Sequence, residues 1–343
     1  MCTLSVIVPL YNGAHTIERC LDSLCGQTIK DIEILVVDDG SLDQGADIVK
    51  RYMANDKRIK LFAQKNQGAG AARNLGISKA EGKYVGFVDC DDFADTDMFR
   101  IMVEALERTK TPVAVCQEKN VYAENGEIQL INETRFPVDT ETVYSSEDVL
   151  KWLLNYTYMS LNSLCYKVVE KRIFTEYHIE VPYPHRQGED LVASVGILTH
   201  VNEVVVVPES LYYYVHRKDS VSYAYSLKHA RDIYLDWKEA RTYIQKTGRR
   251  VNTDNFSLGM YFSSMKQLQW MKQDSDKRSE QARMLRKKWK AARRHYRWKP
   301  DFAGTEVPVM HKIKILSAYF HLCRPVLAGM QCLKWIPMFK YLA

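Results

Sequence analysis

Short apolar runs rich in β-branched residues alternate, through the first part of the chain, with longer stretches in which apolar positions recur every three or four residues. Leu4-Ser5-Val6-Ile7-Val8-Pro9 is such a run, closed by a proline, as expected of a buried parallel strand. Tyr11-Asn12-Gly13 reads as a turn, after which Ile17, Cys20, Leu21 and Leu24 follow at helical spacing. Ile32–Val37 predicts a second strand and ends in Asp38-Asp39-Gly40-Ser41; a helix through Ile48 and Tyr52 comes next. Ile59–Phe62 predicts a third strand, Asn66–Asn74 the entry to a further helix, and Tyr84–Val88 a fourth strand. Further on, Leu191, Val195 and Leu198 carry helical periodicity, and Val204–Val207 reads as a strand stopped by Pro208. Strands alternating with helices predict βαβ units: an α/β fold with a mostly parallel sheet flanked by helices.

In an open α/β sheet, ligands gather at the carboxyl ends of the strands. Tyr11, Asp38, Asp39, Asn66, Arg73, Asp89 and Asp91 all fall there. Along an extended Val88-Asp89-Cys90-Asp91-Asp92, side chains alternate, so Asp89 and Asp91 project to one side. A hard divalent cation, Mg²⁺ or Mn²⁺, relieves the repulsion between two such carboxylates and can hold phosphate oxygens as well. The same residues also fit a helix start with Asp91 or Asp92 as cap. Asp38 and Asp39 fit caps of the helix after them, and Arg73 fits an ordinary ion pair. Gly68, Gly70 and Gly76 make neither a dinucleotide fingerprint, because the third glycine is misplaced, nor a phosphate loop, because no Lys-Ser/Thr ending follows. They read as a tight helix entrance.

Four segments, in this order and spacing, resemble the successive motifs of the family 2 glycosyltransferases: Ser5–Asn12, Val36–Ser41, Asn66-Gln67-Gly68 with Ala72-Arg73-Asn74, and Val88–Asp92. A weaker likeness continues through Gly188-Glu189-Asp190 and Tyr212–Arg217. The resemblance implies an inverting enzyme with the Rossmann-like GT-A fold, a nucleotide-sugar donor, usually UDP-linked, and Mg²⁺ or Mn²⁺. It implies that Pro9 and Tyr11 pack the nucleoside, that Asp39 accepts from the uracil imide, and that Arg73 lies beside the nucleotide. Asp89 would sit near the ribose and metal, and Asp91 would be the metal ligand. Asp190 would be the base that takes the acceptor proton as the hydroxyl attacks from the opposite face. Its position also suits an acid favoured by a helix N-terminus. His216 and Arg217 would contact the departing UDP, where negative charge grows, and His216 is a further metal candidate. Leu161–Lys167 resembles the acceptor-side segment Asn-Lys-Leu-Tyr, with Cys165 inserted.

Charge divides the chain differently. The 343 residues carry a net +6, yet residues 277–343 hold sixteen Lys and Arg against three acids, leaving the rest at −7. Arg283–Lys299 interleaves cations with aromatics, and Ile313, Leu316, Phe320, Cys323, Leu327, Met330 and Leu333 recur at helical spacing. A basic amphipathic segment of this kind fits an anionic membrane surface; it also fits a solvated helix packing its apolar stripe on its own protein. On the first reading the chain should stay folded when cut near residue 276. The expected domains are a catalytic region over 1–223, divided at 115 into a donor half and an acceptor half with the base, and a basic helical appendage over 224–343. The expected partners are a nucleotide-sugar donor, a surface-polysaccharide or lipid-linked glycan acceptor and the anionic membrane surface, not nucleic acid. Eight cysteines without a C-x-x-C pair suggest a reducing compartment. The chain enters its first strand at once, leaving no room for a signal peptide, and no apolar run is long enough to span a bilayer. The expected location is cytoplasmic, peripheral on the inner face of the plasma membrane.

Overall fold

The structure is a computed structural model, and it describes residues 2–124, 127–134, 136, 138–184, 188–216, 225–271, 274–302, 307–320, 322–323 and 325–327. The chain divides into two compact units, Met1–Val149 with Ser160–Ser220 and Leu150–Met159 with Val221–Ala343.

The first unit is built on a ten-stranded sheet. Its strands are β1 (Leu4–Leu10), β2 (Ile32–Asp38), β3 (Ile59–Ala63), β4 (Tyr84–Phe87), β5 (Phe93–Ala94), β6 (Val113–Glu124), β7 (Glu127–Thr134), β8 (Thr142–Ser145), β9 (Lys167–Glu170) and β10 (Glu203–Val215). The helices are α1 (Ile17–Cys25), α2 (Gly45–Asn55), α3 (Ala69–Lys79), α4 (Met98–Thr109), α5 (Ser146–Leu154), α6 (Arg172–Glu176) and α7 (Glu189–His200). The strand order is β3-β2-β1-β4-β9-β6-β10-β5, with β7 on β6 and β8 on β10. The first four strands are parallel; β9 is antiparallel to both its neighbours, and β6 and β10 run parallel again. Leu10 pairs with Asp38 and Asp38 with Ala63, so three chains leave the sheet at one edge.

Every residue of β1 and β2 is buried, as a parallel strand covered on both faces should be. Three of these residues, Ser5, Glu33 and Asp38, are polar, and each is hydrogen-bonded. Ser5 Oγ donates to Glu33 Oε1 at 2.5 Å, and Lys60 Nζ pairs with Glu33 Oε2 at 2.8 Å. The helix α3 lies tight on β1 because Gly76 has no side chain: a Cβ there would stand 2.5 Å from Ile7 Cγ2.

Two sequence expectations change. The strand before the acidic motif ends at Phe87, and Asp92 N–H closes a turn onto Asp89 O at 3.0 Å. The turn, and not a pleat, gathers the acids. No helix starts there either, since α4 begins at Met98. Nor does Pro208 stop its strand. β10 runs thirteen residues through it, with its register against β6 shifting between Val206 and Ser210. A bulge tolerates a residue without an N–H, and the freed Pro208 carbonyl accepts from Gln117 Nε2 at 2.6 Å.

The second unit contains α8 (Leu227–Lys246), α9 (Asp254–Trp270), α10 (Asp274–Lys277), α11 (Glu280–Tyr296) and α12 (Val309–Tyr319). Its core is aromatic. Trp237, Trp289 and Trp298 lie with ring centroids 5.0–6.2 Å apart. Trp237 and Trp289 donate their indole N–H groups to Ser257 and Ser264 of α9, each at 2.9 Å. Ala282, Leu285, Trp289 and Ala292, the apolar stripe of α11, are all buried. The apolar stripe of α11 is therefore part of a packed core, and a cut near 276 removes it. Among the described residues, no helix is long and apolar enough to cross a membrane.

Candidate active site

The carboxyl edge of the parallel strands is laid out residue by residue. Pro9 is buried at the end of β1, and Tyr11, just beyond it, is 48% exposed. Asp38 Oδ1 accepts from Ser41 N–H at 2.9 Å and holds the turn after β2. Asp39 is buried and ties a different loop: Oδ1 accepts from Gln64 Nε2 and Gln67 N–H, Oδ2 from Gly68 N–H, at 2.7–2.9 Å. Neither caps α2, which begins at Gly45. A carboxylate offers roughly four acceptor positions, so Asp39 retains one beside these three.

Arg73 projects from α3 and is almost fully buried. Its guanidinium meets three carboxylates: Asp89 Oδ1 at 2.7 Å, Glu189 Oε1 at 3.2 Å and Asp190 Oδ1 at 3.1 Å. One positive charge against three negative ones leaves an excess of two negative charges in a poorly solvated place. Burial works against the guanidinium, yet Asp190 and Asp89 raise its pKa well above the ordinary value. Burial, with the charge of Asp190 beside it, pushes Glu189 up to about 7. Burial raises Asp190 as well, against the pull of Arg73. These shifts are what desolvation and like charge do to a carboxylate pair.

Asp190 sits in the first turn of α7. Its Oδ2 accepts from Leu164 N–H at 3.1 Å, while Oδ1 is buried and receives no hydrogen bond. Lys167 shapes the same corner: its buried ammonium donates to Leu161 O at 2.7 Å, and burial lowers its pKa to about 8. The segment leading toward α7 is clamped by Asn74. Its side chain donates to Val181 O and accepts from Val181 N–H, both at 2.8 Å. Gly70 permits this approach, since a Cβ there would lie 2.3 Å from Pro182 O.

Asp89, Asp91 and Asp92 bring carboxylate oxygens within 4.8 Å of one another. Asp92 is committed elsewhere: Tyr212 O–H donates to its Oδ2 and Val215 N–H to its Oδ1, both at 2.8 Å. Burial, reinforced by Asp91 and Asp89, raises its pKa well above the ordinary value. Tyr212 Oη also accepts from Asp89 N–H at 3.2 Å. A single tyrosine of β10 thus fixes both ends of the turn. Arg19 donates to Asp91 O at 2.6 Å from α1.

Arg73, Asp89 and Asp190 thus come together, with Asp91 in the same turn as Asp89. His216 does not join the acids. Its Nε2 is 2.8 Å from Asn120 Oδ1, burial lowers its pKa, and among the described residues it belongs to no metal-ligand group. Arg217 lies outside the described residues, as does the end of the chain from 328. Sequence reasoning overlooked Glu189 as a partner of Arg73, and it missed Asn74 and Tyr212 as braces. Their only signals were adjacency to Arg73 and Asp190 and a place in an aromatic strand.

The mixed α/β sheet flanked by helices, with its acidic strand edge, is a fold of the GT-A type. Residues 5–174 match Glycosyl transferase family 2, and the chain belongs to that family. It is 43% identical to the uncharacterized glycosyltransferase EpsJ of Bacillus subtilis over 113 residues, 33% of each chain. It is 31% identical to the glycosyltransferase GlyA of Streptococcus pneumoniae over 233 residues, 66% of this chain and 32% of GlyA. The match thus spans about a third of the length of these relatives. The fold is similar to residues 1–349 of S. aureus TarS, solved in complex with UDP-GlcNAc, with a TM-score of 0.63 over 93% of this chain and 87% of that one at 20% identity.

Proposed function

We propose that the protein is an inverting glycosyltransferase that moves a sugar from a UDP-linked donor to a hydroxyl of a surface-polysaccharide or lipid-linked glycan acceptor. The observation that carries this reading is the Arg73 bridge. It joins Asp89, at the strand edge where a donor would lie, to Asp190, whose Oδ1 pairs with Arg73 and accepts no hydrogen bond of good geometry. The UDP-GlcNAc complex of TarS supports the choice of donor. Residues 1–115 would form the donor half, 116–223 the acceptor half with the base, and 224–343 a basic appendage that favours an anionic membrane surface on the cytoplasmic side.

In this reading Asp190 Oδ1 takes the proton of the acceptor hydroxyl as its oxygen attacks the anomeric carbon from the face opposite the nucleotide. The bond from that carbon to the diphosphate oxygen breaks in the same displacement, and the configuration inverts. Pro9, Tyr11 and the remaining acceptor position of Asp39 receive the nucleoside. On the family resemblance His216 and Arg217 would contact the departing diphosphate; His216 is held on Asn120, and Arg217 lies outside the described residues. Asp91 and Asp89 fit Mg²⁺ or Mn²⁺, since both offer hard oxygen donors while Asp92 is spent on β10. Such an ion, when bound, would neutralise the charge growing on the leaving diphosphate. Arg73 keeps Asp89 and Asp190 apart and oriented.

Two variants test this. Asp190→Asn should keep donor affinity and lose transfer by a factor on the order of 10²–10⁴. Asp91→Ala should abolish turnover and the Mn²⁺ dependence of UDP binding without unfolding the protein. Wild-type protein that binds UDP equally with and without Mn²⁺, and that never hydrolyses or transfers from a UDP-sugar, would leave a binding protein in place of an enzyme.

A further inference from the structure

The second unit holds a groove of about 1070 Å³ between α9 and α11. Its two walls differ in chemistry. Tyr261, Met265 and Leu268 of α9, with Cys323, form an apolar floor. The other wall is cationic: Lys277, Arg278, Arg283, Arg286, Lys290 and Arg293 line it, and among the described residues the lining contains no carboxylate. Four of these follow from the helix itself. Positions 283, 286, 290 and 293 are spaced three, four and three apart, which places them on one face of α11. The apolar stripe of Ala282, Leu285, Trp289 and Ala292 turns into the core beside them.

Several of the cations are held in place by neutral groups. Arg286 donates to Lys277 O at 2.9 Å and Arg283 to Arg278 O at 3.0 Å. Arg293 donates to the Ala318 and Tyr319 carbonyls at the end of α12. The groove thus sets a row of cations, Arg283 and Lys290 among them, along an apolar floor, and its volume is that of a site for a small molecule or a headgroup with part of its chain. A second feature of the same unit points the same way. Val309, Ile313, Leu316 and Phe320, spaced four, three and four along and just past α12, are 38–71% exposed. An apolar row left in water, flanked by Lys312, is the pattern of a helix that lies on lipid.

We infer that this groove binds a phosphate-bearing lipid, with the phosphate on the α11 cations and the first part of the chain on the α9 floor. Planar guanidinium groups suit phosphate oxygens, and the mixed lining suits an amphiphile better than a soluble polyanion. The inference does not depend on the transferase reading. A bilayer lipid and a lipid carrying the acceptor glycan share this chemistry, since both present a phosphate next to hydrocarbon.

The test uses the full-length protein and four probes: inorganic pyrophosphate, monomeric short-chain phosphatidylglycerol, a polyprenyl phosphate in neutral detergent, and vesicles of phosphatidylcholine with or without phosphatidylglycerol. Binding of the short-chain monomer that competes with phosphatidylglycerol vesicles is expected and supports a bilayer source. Tighter binding of the polyprenyl phosphate than of the monomer supports an acceptor source. The double variant Arg283→Glu, Lys290→Glu, both exposed positions, should weaken lipid binding by on the order of tenfold or more while leaving the melting curve and UDP-sugar hydrolysis unchanged. Met265→Gln should weaken lipid and spare pyrophosphate. Vesicle binding without any monomer binding would reduce the groove to surface electrostatics and overturn the proposal. So would pyrophosphate binding as tight as lipid, or a double variant that binds as the wild type does. Because the readout is binding, loss of lipid with intact UDP-sugar hydrolysis, and the reverse, separate this inference from the transferase reading.

Discussion

Arg73 is the residue on which the candidate site depends, and its surroundings make it costly to remove. It is the shared counter-ion of Asp89, Glu189 and Asp190, all poorly solvated. Taking away one partner of a buried ion pair leaves an uncompensated charge and costs about 3–5 kcal/mol. Arg73→Ala should therefore lower the urea midpoint by that equivalent as well as abolish transfer; a loss of transfer at unchanged stability would show that Arg73 serves the ligand alone. The acid pair sets the pH dependence. A base must be deprotonated, and carboxylates with raised pKa values take up their proton as pH falls, so transfer should drop through the region in which the pair protonates, with Glu189 pushed up to about 7 and Asp190 raised above its ordinary value. Glu189→Gln removes the neighbouring negative charge, so the acid limb should move to lower pH. A kcat profile flat through that region would contradict the coupling. The acids and Arg73 were legible in the sequence because motif spacing places them at strand and helix ends. Asn74 and Tyr212 were not. Their partners lie 107 and 123 residues away in the chain, and no local pattern reports such a pairing.

At the scale of elements, β10 shows what periodicity conveys and what it hides. The apolar run Val204–Val207 announced a strand, and Pro208 suggested its end. Instead the strand absorbs the proline at a bulge and continues to Val215. The continuation delivers Tyr212 to the acidic turn and Val215 N–H to Asp92. β1, β2 and β4 were readable because each is an uninterrupted buried run, and the edge strand β3 because it is a short apolar one; the antiparallel insertion of β9 was not, since pairing direction leaves no trace in hydropathy. The turn at 89–92 is likewise a product of β10, which braces it from the far side of the sheet. Tyr212→Phe tests the brace. It leaves one oxygen of buried Asp92 without its donor, at a cost of about 1–3 kcal/mol, and it loosens Asp89. Mn²⁺ titration monitored through UDP binding should show weaker metal affinity in the variant. Full retention of that affinity at reduced stability would make Tyr212 a purely structural contact.

For the whole molecule, one helix answers a question that composition alone left open. Residues 277–343 carry sixteen cations and three acids, and the sequence allowed either a membrane-bound tail or a packed appendage. In α11 the two readings occupy different faces. Leu285 and Trp289 are core, with Trp289 hydrogen-bonded to Ser264, while Arg283 and Lys290 face the groove. Truncation near 276 therefore cannot isolate lipid binding from stability, because it removes both faces together. Single faces can be separated. Trp289→Ala empties a fully buried site and should cost about 3–5 kcal/mol, seen as a lower melting temperature, with the salt sensitivity of lipid binding unchanged below that temperature. Arg283→Glu with Lys290→Glu should do the opposite, keeping the melting temperature and removing the steep fall of lipid binding with salt that screened charges produce. If the charge variant melts early as well, the cations are part of the packing, and the division of α11 into a structural and a binding face is wrong.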